Sequence, residues 1–401
     1  MRAVAATGAD ASRAAFRSFV DEVVIPRAGD FDLAGAVPPD VVAEVAARGY
    51  LGAVLPDGPL PLDMVGLGAL HEEVGRGCSS LRSLLTVHSM VAFAVHRWGG
   101  DAARERWLGP LADGSALGAF CLTESGAGSD VTGLAATAEE DGRGGYVITG
   151  HKRWITFGQV ADLLLVFART GAGIGAFLVE AADPAVRRAP VRDVLGTRAG
   201  MLAEITLIGC RVGPEALVGG PGTGLNVITG ALDVGRYSVA AGCVGIAQGC
   251  LEISAAHAAT RRQGGALLKD HQLVRRMITR MAVDTEAARL LCLRAGRLKD
   301  EGDPGTLVAT CAAKYFAAGV AARAASDAVQ VHGAVGCVDG HPAARYYRDA
   351  KVMEIIEGSS QVHENLIAED VCRTGGVPRS ASPAVPLQGL PPDETTRWEI
   401  A

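Results

Sequence analysis

The spacing of apolar residues changes twice along this 401-residue chain, and this change is the strongest limit on how it can fold. From Ser12 to about Leu117, apolar residues recur at steps of three and four, as on the buried face of α-helices. Between Leu117 and Leu225 the spacing becomes two. Four segments there are predicted strands: 146–149, 163–167, 176–179 and 203–207. From Leu225 onward helical spacing returns, so the sequence predicts a mainly α fold with a β domain inserted between helical ones.

We place the domain boundaries where the spacing changes. Residues 1–117 are predicted to form an N-terminal α-helical domain, 118–225 a middle β domain, and 226–372 a C-terminal helical bundle. Beyond Cys372 the composition shifts to glycine and proline. We therefore expect residues 373–401 to form a tail without fixed structure.

Two apolar stripes are predicted to lie in the core of the C-terminal helices. The first contains Val239, Cys243, Ile246, Cys250 and Ile253. The second contains Leu273, Met277, Met281, Ala288 and Cys292. Both have the spacing of packed helix faces, and neither is assigned chemistry.

Composition and charge limit the partners of the chain. The net charge of −6 argues against a nucleic-acid partner, because phosphates attract basic surfaces. The nine cysteines include no CxxC pair, which indicates reduced core thiols and no metal site. Residues 1–15 lack the continuous apolar segment of a signal peptide, and no apolar run of about 18 residues is evident. We expect a cytoplasmic protein that does not enter a membrane.

Phe120 to Asp130, FCLTESGAGSD, carries the first candidate site. A strand that enters a loop of glycine, serine and threonine presents backbone N–H groups and hydroxyls at close range, as a phosphate-bearing or heteroaromatic cofactor requires. An ordinary Gly/Ser turn is the alternative that this motif alone leaves open.

Tyr347 to Gln361, YRDAKVMEIIEGSSQ, carries the second. This helix-like run breaks at Gly358, directly after Glu357. The carboxylate can face a cavity there, while the following hydroxyls and amide donate hydrogen bonds to a bound group. Taken alone, a glutamate near a helix end is usually a solvated side chain.

Together with GHKRWIT at residues 150–156 and QVHGA at 330–334, these motifs resemble the acyl-CoA dehydrogenase family of flavoenzymes. FCLTESGAGSD is close to the family's LTEPxAGSD, with Ser125 in the usual position of proline. The resemblance implies an N-terminal helical domain, a middle β-barrel-like domain and a C-terminal four-helix bundle. It also implies FAD as cofactor.

The resemblance places FAD against residues from several motifs. It implies that Thr156 reaches flavin N5 and that Ser129 lies near both the pyrophosphate and the acyl-thioester arm. The predicted cofactor-binding residues are Phe120, Leu122, Thr123, Ser129, Trp154, Ile155, Thr156, Arg261, Gln272, Gln330, Gly333, Ala334, Ser359 and Gln361. In the family, the region matched by Arg261 and Gln272 reaches the flavin of a neighbouring subunit, so a homodimer or homotetramer is expected. Gly264 and Ala334 depart from the family pattern.

The resemblance also implies the chemistry. Glu357 matches the catalytic base, which removes the substrate α-proton while a hydride leaves for flavin N5. Asp233 and Arg236 match a substrate-contacting DxxR motif, and Ser129 and Gly358 are further predicted substrate contacts. Some family branches place the base at the position of Gly235, which has no carboxylate here.

The sequence alone leaves more than one substrate and function open. Residues 78–83 and 353–360 are most similar to a branch that oxidises small hydroxylated acyl groups on an acyl carrier protein, towards hydroxymalonyl or methoxymalonyl units for polyketide biosynthesis. The alternative is a short- or branched-chain acyl-CoA dehydrogenase that passes electrons to an electron-transfer flavoprotein. A catalytically silent flavin- or acyl-binding protein and a flavin monooxygenase on the same fold are hypotheses of other classes.

Overall fold

The computed structural model describes residues 8–375, and their side chains from residue 12 onward. The predicted tail of residues 373–401 therefore lies almost entirely outside the described residues. The first part of the chain is helical. Its helices are α1 (Gly8–Phe19), α2 (Ala28–Ala34), α3 (Pro39–Ala47), α4 (Met64–Gly77), α5 (Ser79–Trp98) and α6 (Asp101–Asp113), with a π-helical turn Val20–Val24 after α1.

Helices α4 and α5 form the inner layer of this helical region. Asp63 caps α4 by accepting a hydrogen bond from the Gly66 N–H, which satisfies one free donor of the first turn. Almost every residue of α5 from Ser79 to Val95 is buried, including its polar ones. A helix that is covered on all sides must satisfy its polar side chains inside the protein, which makes those on α5 informative about function.

The middle region is a curled sheet of seven strands. They are β1 (Gly118–Cys121), β2 (Thr137–Glu140), β3 (Tyr146–Ile155), β4 (Leu163–Thr170), β5 (Gly173–Glu180), β6 (Val186–Pro190) and β7 (Ala203–Val212). The pairing order is β1-β4-β2-β3-β7-β6, with β5 paired to β4. The four predicted strands are confirmed. The analysis of spacing missed β2 and β6, which are short, largely exposed and rich in charged residues, so that no alternation marks them.

The last part of the described chain is a bundle of long helices. It comprises α7 (Gly224–Thr260), a small hairpin of β8 (Arg262–Gln263) and β9 (Ala266–Leu267), then α8 (Gln272–Asp300), α9 (Thr306–His332), α10 (Pro342–Met353) and α11 (Ser360–Thr374). Helix α7 is central, because it packs on α4, α5, α8 and α9. A side chain at Gly245 would collide with the backbone carbonyl of Glu72 on α4, so glycine allows these two helices to touch.

Burial confirms the first predicted stripe and corrects the second. Val239, Cys243, Ile246 and Cys250 are buried on α7. On α8, Met281, Ala288 and Cys292 are buried, but Leu273 is 64% exposed. The prediction for Leu273 was wrong because the first turns of α8, residues 272–280, are exposed or half-buried among the described residues.

Two further expectations from composition need correction. Cys337 and Cys372 are exposed, whereas the other seven cysteines are buried, so the thiols do not all belong to the core. Among residues 8–375, α7 is long and apolar enough to span a membrane by length and composition, contrary to the sequence-based expectation. In this structure 67% of its apolar segment is buried inside the protein, as expected for the central helix of a bundle.

Candidate active site

A tight turn between α10 and α11 holds Glu357. Helix α10 ends at Met353, and Glu357 and Gly358 follow with φ angles of 55° and 96°. Such a conformation costs a non-glycine residue about 1–2 kcal/mol, so surrounding contacts must hold Glu357 in place. The Ser360 N–H donates to the Glu354 carbonyl at 3.0 Å, and Ser359 caps α11. The helix ends at Met353, earlier than the predicted break at Gly358, and Glu357 lies in the turn that follows.

Glu357 is half-buried, and one oxygen of its carboxylate is shielded from solvent. Its Oε2 has no hydrogen-bond partner among the described residues. Oε2 lies against α7 at Gly235, where an added Cβ would stand 2.6 Å away and 2.8 Å from the Met90 sulfur. Glycine at 235 is therefore what admits the carboxylate to this space.

Two opposing effects act on the pKa of Glu357. Burial raises the pKa of Glu357, whereas the charges of Arg236, Arg82 and Lys314 lower it. Within the described part of the chain, no basic side chain lies within 4.0 Å of the carboxylate. The three cations therefore act on Glu357 from a distance and leave its oxygens unoccupied.

The backbone of the turn has its own partners. Arg236 Nε donates to the Glu357 carbonyl at 3.2 Å, and Lys314 Nζ donates to the Gly358 carbonyl at 2.7 Å. The N–H of Glu357 donates to no protein group within residues 12–375. It is a free donor beside a free carboxylate.

Arg82 is a functional candidate that the sequence analysis missed. Its side chain is fully buried on α5 and donates to Thr86 Oγ1 at 2.8 Å, Ser83 Oγ at 2.9 Å and Met353 Sδ at 3.3 Å. Burial lowers its pKa, and the negative charge of Glu357 is among the effects that raise it again. In the sequence, residues 78–83 attract notice only through their similarity to a family branch, which assigns Arg82 no role of its own.

The structure separates the two predicted residues of the DxxR motif. Arg236 contacts the Glu357 turn, as described above. Asp233 instead forms an ion pair with Lys299 on α8. Its other oxygen, Oδ1, is buried without a partner among the described residues, so Asp233 retains one acceptor for a bound molecule.

The motifs at 120–130 and 150–156 form one surface. The Arg153 N–H donates to the Thr123 carbonyl at 2.8 Å. Buried Lys152 reaches across to the Leu122 carbonyl at 3.2 Å and to Glu124 at 2.6 Å. These bonds place the end of β1 beside the end of β3.

This surface fits a planar ring system. Trp154 is 48% exposed and has a φ of 62°, which turns its indole outward from the end of β3. Thr123 and Thr156 lie half-buried in the two adjoining segments, while Ser129 is exposed. The side chain of Ile155 is buried in the sheet core, which leaves its backbone for the predicted cofactor contact. Phe120 is half-buried and packs on Phe167 at 4.9 Å.

Of the remaining predicted cofactor residues, Arg261 lies far from Glu357 within one chain, whereas Ser359 and Gln361 follow Glu357 directly. Arg261 is 26 residues along α7 from Gly235, a helical distance of about 39 Å. The exposed members of this group are Arg261, Gln272, Gln330, Gly333, Ala334 and Gln361. Ser359 and Gly358 lie half-buried in the turn itself. Among the described residues, no cluster of acidic, histidine or cysteine side chains could hold a metal ion.

Comparison with known proteins identifies the family. The chain matches the acyl-CoA dehydrogenase N-terminal domain over residues 8–115, the middle domain over 119–210 and the C-terminal domain over 222–372. The chain belongs to the acyl-CoA dehydrogenase family. It is therefore an oxidoreductase that acts on the CH–CH group of acyl thioesters with a flavin cofactor.

Individual relatives agree with this placement. The chain is 34% identical to glutaryl-CoA dehydrogenase of Desulfococcus multivorans over 88% of this chain and 94% of that protein. It is also 34% identical to the mitochondrial short-chain specific acyl-CoA dehydrogenase of Rattus norvegicus, over 89% and 88%. A solved structure described as FkbI for biosynthesis of the methoxymalonyl extender unit of the polyketide Fk520 is 36% identical, covers 90% of this chain and 99% of that one, and superposes with a TM-score of 0.83.

Proposed function

We propose that this protein is an FAD-dependent dehydrogenase of a small, polar acyl thioester, and that Glu357 is its catalytic base. The observation that carries the proposal is the Glu357 carboxylate. Its Oε2 is buried without a hydrogen-bond partner, it forms no ion pair among the described residues, and three cations influence it at a distance. A base must be ionised yet unoccupied to accept a proton from carbon, and this arrangement provides both conditions.

The residues of this chain have distinct roles in the proposed reaction. Glu357 Oε2 accepts the α-proton, and the free N–H of Glu357 donates to the thioester carbonyl, which stabilises the enolate-like charge that develops. Trp154 and Thr156 hold the cofactor ring against the end of β3. Bound FAD supplies the acceptor for the β-hydride.

The acyl group is proposed to be small and to end in a polar or anionic group. A fully buried guanidinium is costly unless it is paired. Arg82 has hydroxyl and sulfur partners, but no carboxylate lies within 4.0 Å of it among the described residues. A carboxylate or oxygen-rich acyl terminus would complete its coordination.

We propose an acyl carrier protein as the carrier and polyketide extender-unit biosynthesis as the setting. Similarity to FkbI, together with the polar side chains of α5, supports this choice. The second candidate is a dicarboxylic or short-chain coenzyme A ester with an electron-transfer flavoprotein as acceptor. The similarity to the glutaryl-CoA and short-chain enzymes favours it.

We further propose a homodimer or homotetramer in the cytoplasm. The predicted cofactor contacts at Arg261 and Gln272 are exposed and far from Glu357 of the same chain. Exposed apolar side chains lie on α8, which begins beside them: Leu273, Val283 and Leu290. A neighbouring copy would cover these side chains and bring Arg261 to its own flavin.

The test is an anaerobic titration of the flavin absorbance with thioesters. Hydroxylated three-carbon, glutaryl and butyryl groups are each presented on an acyl carrier protein and on coenzyme A. Bleaching by carrier-protein thioesters alone is the expected result. Bleaching by coenzyme A esters overturns the proposed carrier and supports the second candidate, and bound flavin that no thioester bleaches overturns the proposed dehydrogenase activity.

A further inference from the structure

Lys314 is a buried lysine with an unusual set of neighbours. It lies on α9, its side chain is fully buried, and Nζ donates to the Gly358 carbonyl at 2.7 Å. No carboxylate lies within 4.0 Å of Nζ in the described part of the chain. An ammonium buried without a contact ion pair is unfavourable unless its charge acts on something nearby.

The charged groups that face Lys314 come from α7 and from the turn after α10. Burial lowers the pKa of Lys314 to about 8; the charge of Glu357 raises it, and that of Arg236 lowers it. The charge of Glu354 also acts to raise it. Below pH 8 the lysine is therefore an ammonium beside the turn that holds Glu357.

His363 completes the surroundings of the turn from α11. It is fully buried, and neither ring nitrogen has a hydrogen-bond partner among the described residues. Burial lowers its pKa to about 3, so the ring is neutral at physiological pH. An added Cβ at Gly358 would lie 3.2 Å from this ring. His363 supports the turn by packing and contributes no charge to it.

A neutral amide could donate to the Gly358 carbonyl as well as an ammonium can. An ammonium differs from an amide in its positive charge. That charge acts on Glu357, whose pKa is raised by burial. A cation in direct contact would lower that pKa but would also occupy the oxygens. A cation bonded to the carbonyl of the next residue lowers the pKa and leaves Oε2 free.

We infer that Lys314 is a positioning residue for the catalytic carboxylate: its ammonium fixes the Glu357–Gly358 turn and keeps Glu357 ionised without touching it. This inference rests on the proposed role of Glu357 as base. Arg82 on α5 and Arg236 on α7 act on Glu357 in the same direction, so loss of Lys314 alone shifts the pKa rather than neutralising Glu357 at every pH.

The test separates charge from hydrogen bonding with two variants. Lys314→Gln keeps a donor and loses the charge, whereas Lys314→Met loses both. The control is Lys351→Gln, which removes an exposed lysine paired with Glu354 in the same segment. All variants are purified as the FAD-loaded protein, and FAD content confirms that each has folded.

The primary readout is the titration of Glu357 itself in substrate-free protein. Glutamate labelled with ¹³C at the carboxyl carbon gives a resonance that Glu357→Gln identifies by its disappearance. We expect Lys314→Gln and Lys314→Met to raise the pKa of Glu357 by about one unit, and Lys351→Gln to leave it unchanged. An unchanged titration in Lys314→Gln overturns the inference, whatever the activity of the enzyme.

The second readout is the pH profile of flavin reduction by the active thioester. In Lys314→Gln the rate should fall about tenfold at pH values below the pKa of Glu357 and recover at higher pH, because only the ionised fraction has changed. In Lys314→Met the high-pH rate should fall as well, because the turn loses its bond. Equal losses at every pH in both variants would overturn the electrostatic role. An active Glu357→Gln enzyme would overturn the proposed function instead, so the two failures are distinguishable.

Discussion

The Cβ position of Gly235 lies 2.6 Å from Oε2 of Glu357, so the carboxylate of the turn after α10 occupies the space that any side chain at 235 would fill. The residue at position 235 of helix α7 therefore limits where the turn can place its carboxylate. The glycine that removes a possible base from α7 is the same glycine that admits Glu357. This relationship makes Gly235 a sensitive position for catalysis although it has no functional group.

Replacing Gly235 with alanine should displace the carboxylate and leave the fold intact. An error of about 1 Å in the position of a catalytic group can lower a rate about 100-fold. We expect Gly235→Ala to retain FAD and to reduce its flavin about 100-fold more slowly with the active thioester, measured by stopped-flow absorbance. Gly109→Ala is the matched control, because an added Cβ at Gly109 meets nothing within 4 Å. A Gly235→Ala enzyme as fast as the control would contradict the geometry.

Replacing Glu357 with glutamine should abolish proton removal without disturbing the turn. The amide has the same shape but cannot accept the α-proton, and loss of a general base lowers rates by about 100- to 10,000-fold. We expect full FAD occupancy and loss of thioester oxidation within this range. Flavin spectra and the steady-state rate check both parts. Retention of the wild-type rate would show that another group is the base.

Replacing Arg82 with methionine should change which acyl groups are accepted. A hydrogen bond to a charged group contributes about 1.5–3 kcal/mol, so kcat/KM for a carboxylate-bearing thioester should fall about 10- to 100-fold. A neutral butyryl thioester should change by less than about threefold, since it makes no such bond. Stability should not suffer, because replacing a buried charged group by an apolar side chain of similar volume is often neutral or stabilising.

The control for Arg82 is Arg97→Met, at an exposed position on the same helix. Equal losses with charged and neutral thioesters in Arg82→Met would assign Arg82 a structural role. The ratio of kcat/KM for the carboxylate-bearing thioester to kcat/KM for the butyryl thioester decides between a role in specificity and a structural role.

Stability should depend on pH through Asp349. Burial raises the pKa of this carboxyl to about 6, although the Thr197 N–H donates to it at 2.6 Å. Because the folded-state pKa lies above the unfolded value of about 3.9, its stabilising contribution is complete below pH 4 and is lost as pH rises through 6. The full change is about 3 kcal/mol for a shift of about two units.

Asp349→Asn keeps the carbonyl acceptor and removes the titration. We expect the wild-type free energy of unfolding, measured by denaturant titration, to fall relative to that of Asp349→Asn between pH 4 and pH 7. If the difference between the two proteins were the same at both pH values, Asp349 would have an ordinary pKa. The charge of Asp32 is among the effects that raise the pKa of Asp349, so the comparison reports the titration of the two carboxyls together.

Local sequence determined much of the fold and one part of the site. The change of apolar spacing from helical to alternating and back follows from which faces of helices and strands are buried, so it predicts the order of elements. The break before Gly358 follows from the backbone freedom of glycine after a helical run, and it placed Glu357 in a turn. Neither prediction requires knowledge of residues far away in the chain.

Tertiary structure alone decided the surroundings of Glu357. Arg82, Arg236 and Lys314 come from α5, α7 and α9, and their burial depends on how those helices pack rather than on their own neighbours in sequence. The same reason explains the error at Leu273, whose helical spacing matches a buried stripe although no element among residues 8–375 covers it. A sequence pattern states which face of an element is apolar, whereas the electrostatics of a site depend on which distant charges the packed fold brings to it.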